Sequence, residues 1–211
     1  MIPIILRLKK AAHKEVAEAQ DRVVEALYEV FDDAVLHGGT SIWRCYGGNR
    51  FSEDVDVYME RDAKRLASLF ITFERKGFVV EKKKVGERSL YSTLRFNSTV
   101  VRFEALFKKV SGSLKEYETV EGNLITVYTL TPEELINEKI SAYLNRLKVR
   151  DLYDIFFLLR HVKDAFEVRK ALEQLIAKFK APVDENDLKV LLLEGLVPDS
   201  KKMLDYIKGK V

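Results

Sequence analysis

Residues 37–58 read HGGTSIWRCYGGNRFSEDVDVY, and the way this stretch folds decides the rest of the chain. Four of the ten glycines in the 211-residue sequence, Gly38, Gly39, Gly47 and Gly48, fall inside it, followed by two aspartates one residue apart. Asp54-Val55-Asp56-Val57-Tyr58-Met59 alternates in character. That pattern predicts a strand with Val55 and Val57 in the core and both carboxylates on the other face. Just upstream, a short apolar run at 34–37 is stopped by the glycine pair, and residues 40–46 then read as a helix. The implied order is strand, glycine turn, helix, then the aspartate strand.

Working outward, apolar residues recur at three and four from His13 to Phe31, which predicts an amphipathic helix. Residues 61–76 read as a helix ended by Gly77. Three β-rich stretches follow at 78–85, 89–96 and 99–107, joined by hairpin turns at Gly86-Glu87 and Asn97-Ser98, with a further strand expected at 123–128. From Thr131 the character becomes helical: Thr131 is a cap, Pro132 sits at the first helical position and Glu133 and Glu134 fill the first turn. Helical periodicity runs to about residue 160, and further helices fit 164–179, 184–195 and 200–208. The fold class is α+β: residues 1–128 form an α/β core with an N-terminal helix, and 129–211 a C-terminal helical domain.

Composition removes several function classes. Hydrophobic residues make up 47% and charged residues 33%, and no run approaches the roughly 20 apolar residues of a membrane span. The opening MIPIILRLKK lacks the order of a signal peptide, so a cytoplasmic protein without membrane contact is expected. Cys45 is the one cysteine, and His13, His37 and His161 have no ligand spacing, so a metal, if present, should be bound by oxygen. Bases cluster at 7–14, 82–84, 108–109, 146–150 and 201–202 under a net charge of only +3. Each cluster reads either as a phosphate contact or as a solvated face.

The carboxylates carry the chemistry. Asp54 and Asp56 on one strand face repel each other unless a cation lies between them, and Mg²⁺ takes one or two protein carboxylates plus substrate phosphates. Glu104 stands in the strand Val101-Arg102-Phe103-Glu104-Ala105-Leu106, an odd place for an acid. It either completes a carboxylate triad with Asp54 and Asp56, or pairs with Arg102 or Arg95 on an exposed sheet face. Gly38 and Gly39 would let the backbone approach a triphosphate, with Thr40 adding a helix N-terminus and a hydroxyl.

The string HGGTSIWR…NRFSEDVDVY resembles the motif of DNA-polymerase-β-type nucleotidyltransferases, in particular the AbiEii/AbiGii toxin family, in which a glycine pair precedes an Arg-Phe-Ser-x-Asp-x-Asp stretch. Arg50, Phe51, Ser52, Asp54 and Asp56 match it position by position. The resemblance implies a polymerase-β-type core with a mixed sheet flanked by helices, followed by a helical bundle. It implies transfer of a nucleotide from an NTP with release of pyrophosphate. Asp54, Asp56 and Glu104 would lie at Mg²⁺, and Gly38, Gly39 and Thr40 at the phosphates. Downstream, Glu138-Lys139-Ile140-Ser141-Ala142-Tyr143, Arg146 and Arg150-Asp151-Leu152-Tyr153-Asp154 are similar to the family's Lys-bearing helix and Arg-Asp-x-x-Asp segment. Lys139, Tyr143, Arg146 and Arg150 are expected on one helix face toward the nucleotide, with Asp151 and Asp154 nearby; the other reading is a surface helix with its own salt bridges. Arg50 and Ser52 either bind substrate or hold the loop. Trp43 and Tyr46 read as core.

The resemblance makes the expected protein a toxin that modifies an RNA such as tRNA and pairs with a cognate antitoxin. Two other readings remain: the same chemistry on a small molecule or a protein, and a non-catalytic nucleotide-binding module.

Overall fold

The structure, a computed structural model, describes residues 3–211; Met1 and Ile2, which open the apolar patch at the start, lie outside the described residues. The chain divides into two compact units, Met1–Cys45 with Ser52–Thr129 and Tyr46–Phe51 with Leu130–Val211.

The first unit holds a seven-stranded mixed sheet in the order β3-β4-β5-β2-β1-β7-β6, built from β1 Val35–His37, β2 Asp54–Met59, β3 Val79–Val85, β4 Ser89–Phe96, β5 Thr99–Phe107, β6 Ser113–Glu118 and β7 Leu124–Thr129. Its helices are α1 Ile4–Arg7, α2 Ala11–Val30, α3 Gly38–Cys45 and α4 Ala63–Arg75. Strand β2 runs antiparallel to β1 and parallel to β5. The alternation anticipated for the aspartate strand holds over Asp54–Met59: Val55, Val57 and Met59 are buried, and Asp54, Asp56 and Tyr58 are half-buried on the opposite face. Val55, Val57, Phe103, Ala105, Leu90 and Leu94 form one core with Val23 and Leu27 of α2 and Leu69 and Phe73 of α4. Burying each large apolar side chain contributes about 1.5–3 kcal/mol, which fixes the register of the sheet and leaves the acids on the open face. Asp62 caps α4 by accepting from the amides of Lys64 and Arg65. Asn97, at φ 52°, turns the β4–β5 hairpin.

Strand β6 was not anticipated. Its first four residues are exposed and carry no alternation, and it exists as an edge strand through backbone pairing with β7.

The second unit is helical: α5 Pro132–Arg146, α6 Val149–Leu158, α7 Ala165–Ala177, α8 Leu188–Leu191 and α9 Ser200–Lys208, with a 3-10 turn at Glu185–Asp187. Thr131 and Glu134 form a reciprocal capping box on α5. The continuous helix expected to residue 160 is broken, because Leu147 takes the left-handed conformation (φ 50°) and ends α5. The helix expected at 184–195 is reduced to the 3-10 turn and the four residues of α8. Residues 46–51 belong to this unit through pairing with the end of α8 and the residues after it: Phe51 N donates to Leu191 O at 2.9 Å, and Leu193 N to Asn49 O at 3.0 Å. Among the described residues no helix is long and apolar enough to cross a membrane.

Candidate active site

Strand register brings the acids of the first unit together. Asp56 lies opposite His37 of β1 on one side and Glu104 of β5 on the other, while Asp54 lies opposite Arg102. His37, Asp56 and Glu104 therefore make one row across three strands, and Asp54 and Arg102 the next row on the same face. The His37 ring stacks on Tyr58, with centroids 4.1 Å apart. Glu104 thus joins the two aspartates, and the pairing with Arg102 or Arg95 is not formed: Arg95 engages Glu81 at 2.6 Å, and Arg102 engages Asp54.

Arg102, named from the sequence only as a possible partner of Glu104, enters the cluster through Asp54 instead. Its Nε donates to one Asp54 oxygen at 2.6 Å and a terminal nitrogen to the other at 2.9 Å, a two-pronged contact on a partly exposed surface. Its signal was present in the alternation of β5, since Arg102 and Glu104 must share a face. Glu104 carries the electrostatic mark of the cluster. Burial, then the neighbouring Asp56 and Asp54 charges, raise its pKa above the ordinary carboxylate value, against the opposing pull of Arg102 and His37.

The glycine turn meets the acids directly. Gly38 has φ +72°, and a Cβ at that position would collide with Oδ2 of Asp56. Only glycine leaves that space to the carboxylate. Helix α3 begins at Gly38, so its amide end lies at the aspartate row. Gly39 is buried in its first turn. The Thr40 hydroxyl donates to the carbonyl of Asp54, and Gln20 Nε2 donates to the carbonyl of Ser52 at 2.8 Å. These bonds pin the start of β2, so the Thr40 side chain is engaged in positioning the strand. Trp43 is core, and Arg44 beside it is buried in a network with Asp21, which also accepts from Tyr117 Oη and the Val120 amide.

The predicted residues of the second unit form a separate cluster. Arg50 grips Asp154 with Nε and a terminal nitrogen at 2.9 and 2.8 Å, and another nitrogen donates to Phe51 O. Lys139 Nζ lies 2.8 Å from Asp154 and 3.7 Å from Asp151, and Arg146 grips Asp151 at 2.7 and 2.8 Å. Burial alone would raise the Asp154 pKa, but Arg50 and Lys139 outweigh it and hold the carboxyl below its usual value. Tyr143 is fully buried, its hydroxyl donating to Lys180 O at 2.6 Å and its ring stacked on Phe179. Arg150 stands in α6 rather than on the face of α5, because the turn at Leu147 separates them. Arg150 therefore leaves the face anticipated for it with Lys139, Tyr143 and Arg146, which stay together on α5, Lys139 and Arg146 both meeting Asp151.

The donor set of the first unit suits a hard cation. Among the described residues no three His, Cys, Asp or Glu side chains stand in metal-caging geometry. Both Asp54 oxygens are turned to Arg102, while Asp56 and Glu104 face each other across β2 and β5. Asp56 and Glu104 are oxygen donors of the kind Mg²⁺ takes together with substrate oxygens, and Asp54 would add to them only on leaving Arg102.

Comparison with known proteins agrees with this architecture. The family described as nucleotidyl transferase AbiEii toxin, Type IV TA system, matches residues 22–208. No curated protein matches the chain by sequence. Among solved structures the chain is similar to MenT4, a nucleotidyltransferase toxin from Mycobacterium tuberculosis H37Rv, at 20% identity and a TM-score of 0.68, covering 98% of this chain and 85% of that one. It is similar to JHP933 from Helicobacter pylori at 18% identity and a TM-score of 0.64, covering 95% and 90%. A likeness to the antibiotic-resistance factor ANT(2'')-Ia, at 14% identity and a TM-score of 0.50, covers 77% and 91%. These structural likenesses establish the fold, a mixed sheet flanked by helices with a helical C-terminal part. The family match over nearly the whole chain establishes membership: the protein is a nucleotidyltransferase of the AbiEii toxin family of Type IV toxin–antitoxin systems.

Proposed function

We propose that the chain transfers a nucleoside monophosphate from an NTP to a hydroxyl of an RNA acceptor, with tRNA the first candidate, in a Mg²⁺-dependent reaction, and that a cognate antitoxin restrains it. The observation that carries this reading is the juxtaposition of Asp56 and Glu104 in one row, with Asp54 two residues away on the same face. Asp54, Asp56 and Glu104 would hold the metal, which when bound supplies Lewis-acid stabilisation of charge on the transferring phosphoryl group.

The remaining work falls to the chain itself. The acceptor oxygen bonds to the α-phosphorus, the bond to the pyrophosphate oxygen breaks, and the acceptor proton passes to a base. Glu104, in one row with Asp56, is the carboxylate placed to take that proton where it does not itself hold the metal. The amide end of α3 at Gly38 and Gly39 offers donors to phosphate oxygens. Within the second unit, Lys139 is by the family resemblance the candidate NTP contact, and Asp154 and Asp151 are its counter-ions in the structure. Arg50 positions Lys139 indirectly, by sharing Asp154 with it. A Lys139→Ala variant should raise KM for NTP more than it lowers kcat, and an unchanged KM would return Lys139 to a structural role.

The test supplies each of the four α-labelled NTPs with Mg²⁺ and total cellular RNA to the wild type and to an Asp54→Ala/Asp56→Ala double variant. Label on RNA with the wild type alone is the expected result. No label on RNA, with NTP binding intact, would reject the RNA acceptor and direct the search to small molecules.

A further inference from the structure

The row that carries the carboxylates does not stop at β5. Register extends it from Glu104 to Tyr91 of β4 and on to Lys84 of β3, and the adjacent row runs from Arg102 to Thr93 and Lys82. Lys82, Lys84 and Tyr91 are all exposed. The three consecutive lysines of β3 divide between the two faces: Lys83 turns to the helix side, where its Nζ sits 3.8 Å from the centre of the Phe70 ring, leaving Lys82 and Lys84 on the open side. Arg95, also on this side, is neutralised by Glu81, whereas neither Lys82 nor Lys84 has an ion-pair partner among the described residues.

We propose that the open face of β3 and β4 is the docking surface for the single-stranded end of the RNA acceptor, with Lys82 and Lys84 on its phosphates and the Tyr91 ring stacked under a base. This rests on the nucleotidyltransferase reading and identifies a substrate surface beside the same site. Three physical arguments carry it. Charge comes first: two uncompensated cations on a face whose next strand bears the reacting carboxylates match a polyanion whose end must reach those carboxylates. Stacking comes second, since an exposed ring between the cations and Glu104 offers a platform to an unpaired base, which a duplex would keep inside its own stack. Reach comes third: three strand spacings of about 4.8 Å place Lys84 roughly 14 Å from Asp56, a few nucleotides of extended strand.

The test measures binding of a labelled single-stranded oligoribonucleotide to the full chain by anisotropy, over a range of salt, in EDTA and without NTP so that no transfer occurs. The variants are Lys82→Ala/Lys84→Ala, Tyr91→Ala and Tyr91→Phe, with Lys189→Ala/Lys201→Ala in the second unit as a pair of equal charge change. All are surface substitutions, checked by Tm. For the Lys82/Lys84 pair the slope of log K against log salt should fall in magnitude by about 1.4, or about 0.7 for each lost single-strand phosphate contact. Tyr91→Ala should weaken binding about tenfold at every salt concentration without changing the slope, and Tyr91→Phe should restore it.

An unchanged slope in the Lys82/Lys84 pair, an equal effect of the control pair, or no binding by the wild type would overturn the proposal. So would loss of binding to an acidic polypeptide such as polyglutamate in the Lys82/Lys84 pair while RNA affinity stayed the same, because the face would then belong to a protein partner. NTP binding and pyrophosphate release, measured separately on the wild type, keep the two claims apart. If label reaches RNA equally in wild type and variants, the docking surface fails and the transferase reading stands. If no pyrophosphate is released with any acceptor, the transferase reading itself fails.

Discussion

On the sheet of the first unit three carboxylates stand together, and one guanidinium, Arg102, engages Asp54 at a partly exposed surface. In the second unit two buried carboxylates, Asp154 and Asp151, are answered by Arg50, Lys139 and Arg146. Both clusters are acidic residues with basic neighbours, yet their electrostatics run in opposite directions: Glu104 is pushed above the usual carboxylate range, while Asp154 is held below it. A cluster left short of positive charge stores repulsion that a bound cation relieves. A cluster with its charges matched holds chain segments together, and here it ties Arg50, in the hexapeptide 46–51, to a helix 104 residues further along. Substitution of the carboxylates should therefore affect function first in the sheet cluster and folding first in the cluster of the second unit.

The largest effect is expected from Asp154→Ala, which leaves Arg50 and Lys139 buried without their carboxylate. Breaking a buried pair costs about 3–5 kcal/mol, a fall in Tm of about 6–20 °C for a chain of this size. A scanning-calorimetry shift of under about 2 °C would show that the matched cluster does not stabilise the fold. Because the Asp154 pKa is depressed, its contribution is present above the unfolded value of about 3.9 and is lost as pH falls through the folded value. The variant should therefore lack the wild type's steep acid limb below about pH 4.

Gly38→Ala comes next. A non-glycine residue with positive φ costs about 1–2 kcal/mol, and the new Cβ would displace the Asp56 carboxylate as well. Gly38→Asn separates the two causes, since asparagine tolerates the left-handed conformation but brings the same Cβ. Both variants should lose transfer activity by about tenfold or more, and Asn should recover part of the lost Tm without recovering the rate. Recovery of both would mean that backbone conformation alone requires the glycine.

Arg102→Met should act in the opposite sense on ligand binding. With Asp54 released, Mn²⁺ titrated into the chain should bind up to about fivefold more tightly, because an exposed pair is worth no more than about 1 kcal/mol. Weaker binding would show that Arg102 supports the cation seat rather than competing with it.

The smallest effect is expected from Glu104→Gln without metal. The raised pKa of Glu104 means that the folded state favours its protonated form, so its cost to stability is absent below the unfolded value of about 4.3 and appears as pH rises through the folded value. The glutamine variant should be slightly more stable than wild type at pH 7, by less than about 1 kcal/mol after solvent screening, and equal to it near pH 4. A less stable variant at pH 7 would contradict the stored repulsion.

The same contrast explains what could be read from the sequence. The acidic face was legible because strand alternation is local: Asp54, Asp56 and Glu104 each declare their face through the apolar residues beside them. Register added what alternation cannot supply, namely that Asp54 faces Arg102 while Asp56 faces Glu104. Gly38 could be singled out by type, but its reason, the carboxylate of Asp56, lies across the β1–β2 pair. In the helical part, Leu147 gives no glycine signal for its left-handed turn, so α5 and α6 read as one helix. Strand β6 lacks apolar alternation because it pairs at an edge. The Arg50–Asp154 contact depends on a separation that no short pattern encodes.

The central claim is that the Asp56 row is where the nucleotide is transferred. The most direct measurement is pyrophosphate release from NTP, in the presence of acceptor RNA, by the wild type and by Asp56→Asn, with the Tm of both recorded. The account predicts a loss of at least about 10²-fold, the scale of removing one key electrostatic group from a transfer site, at an unchanged or higher Tm. A folded Asp56→Asn protein that releases pyrophosphate at the wild-type rate would contradict it.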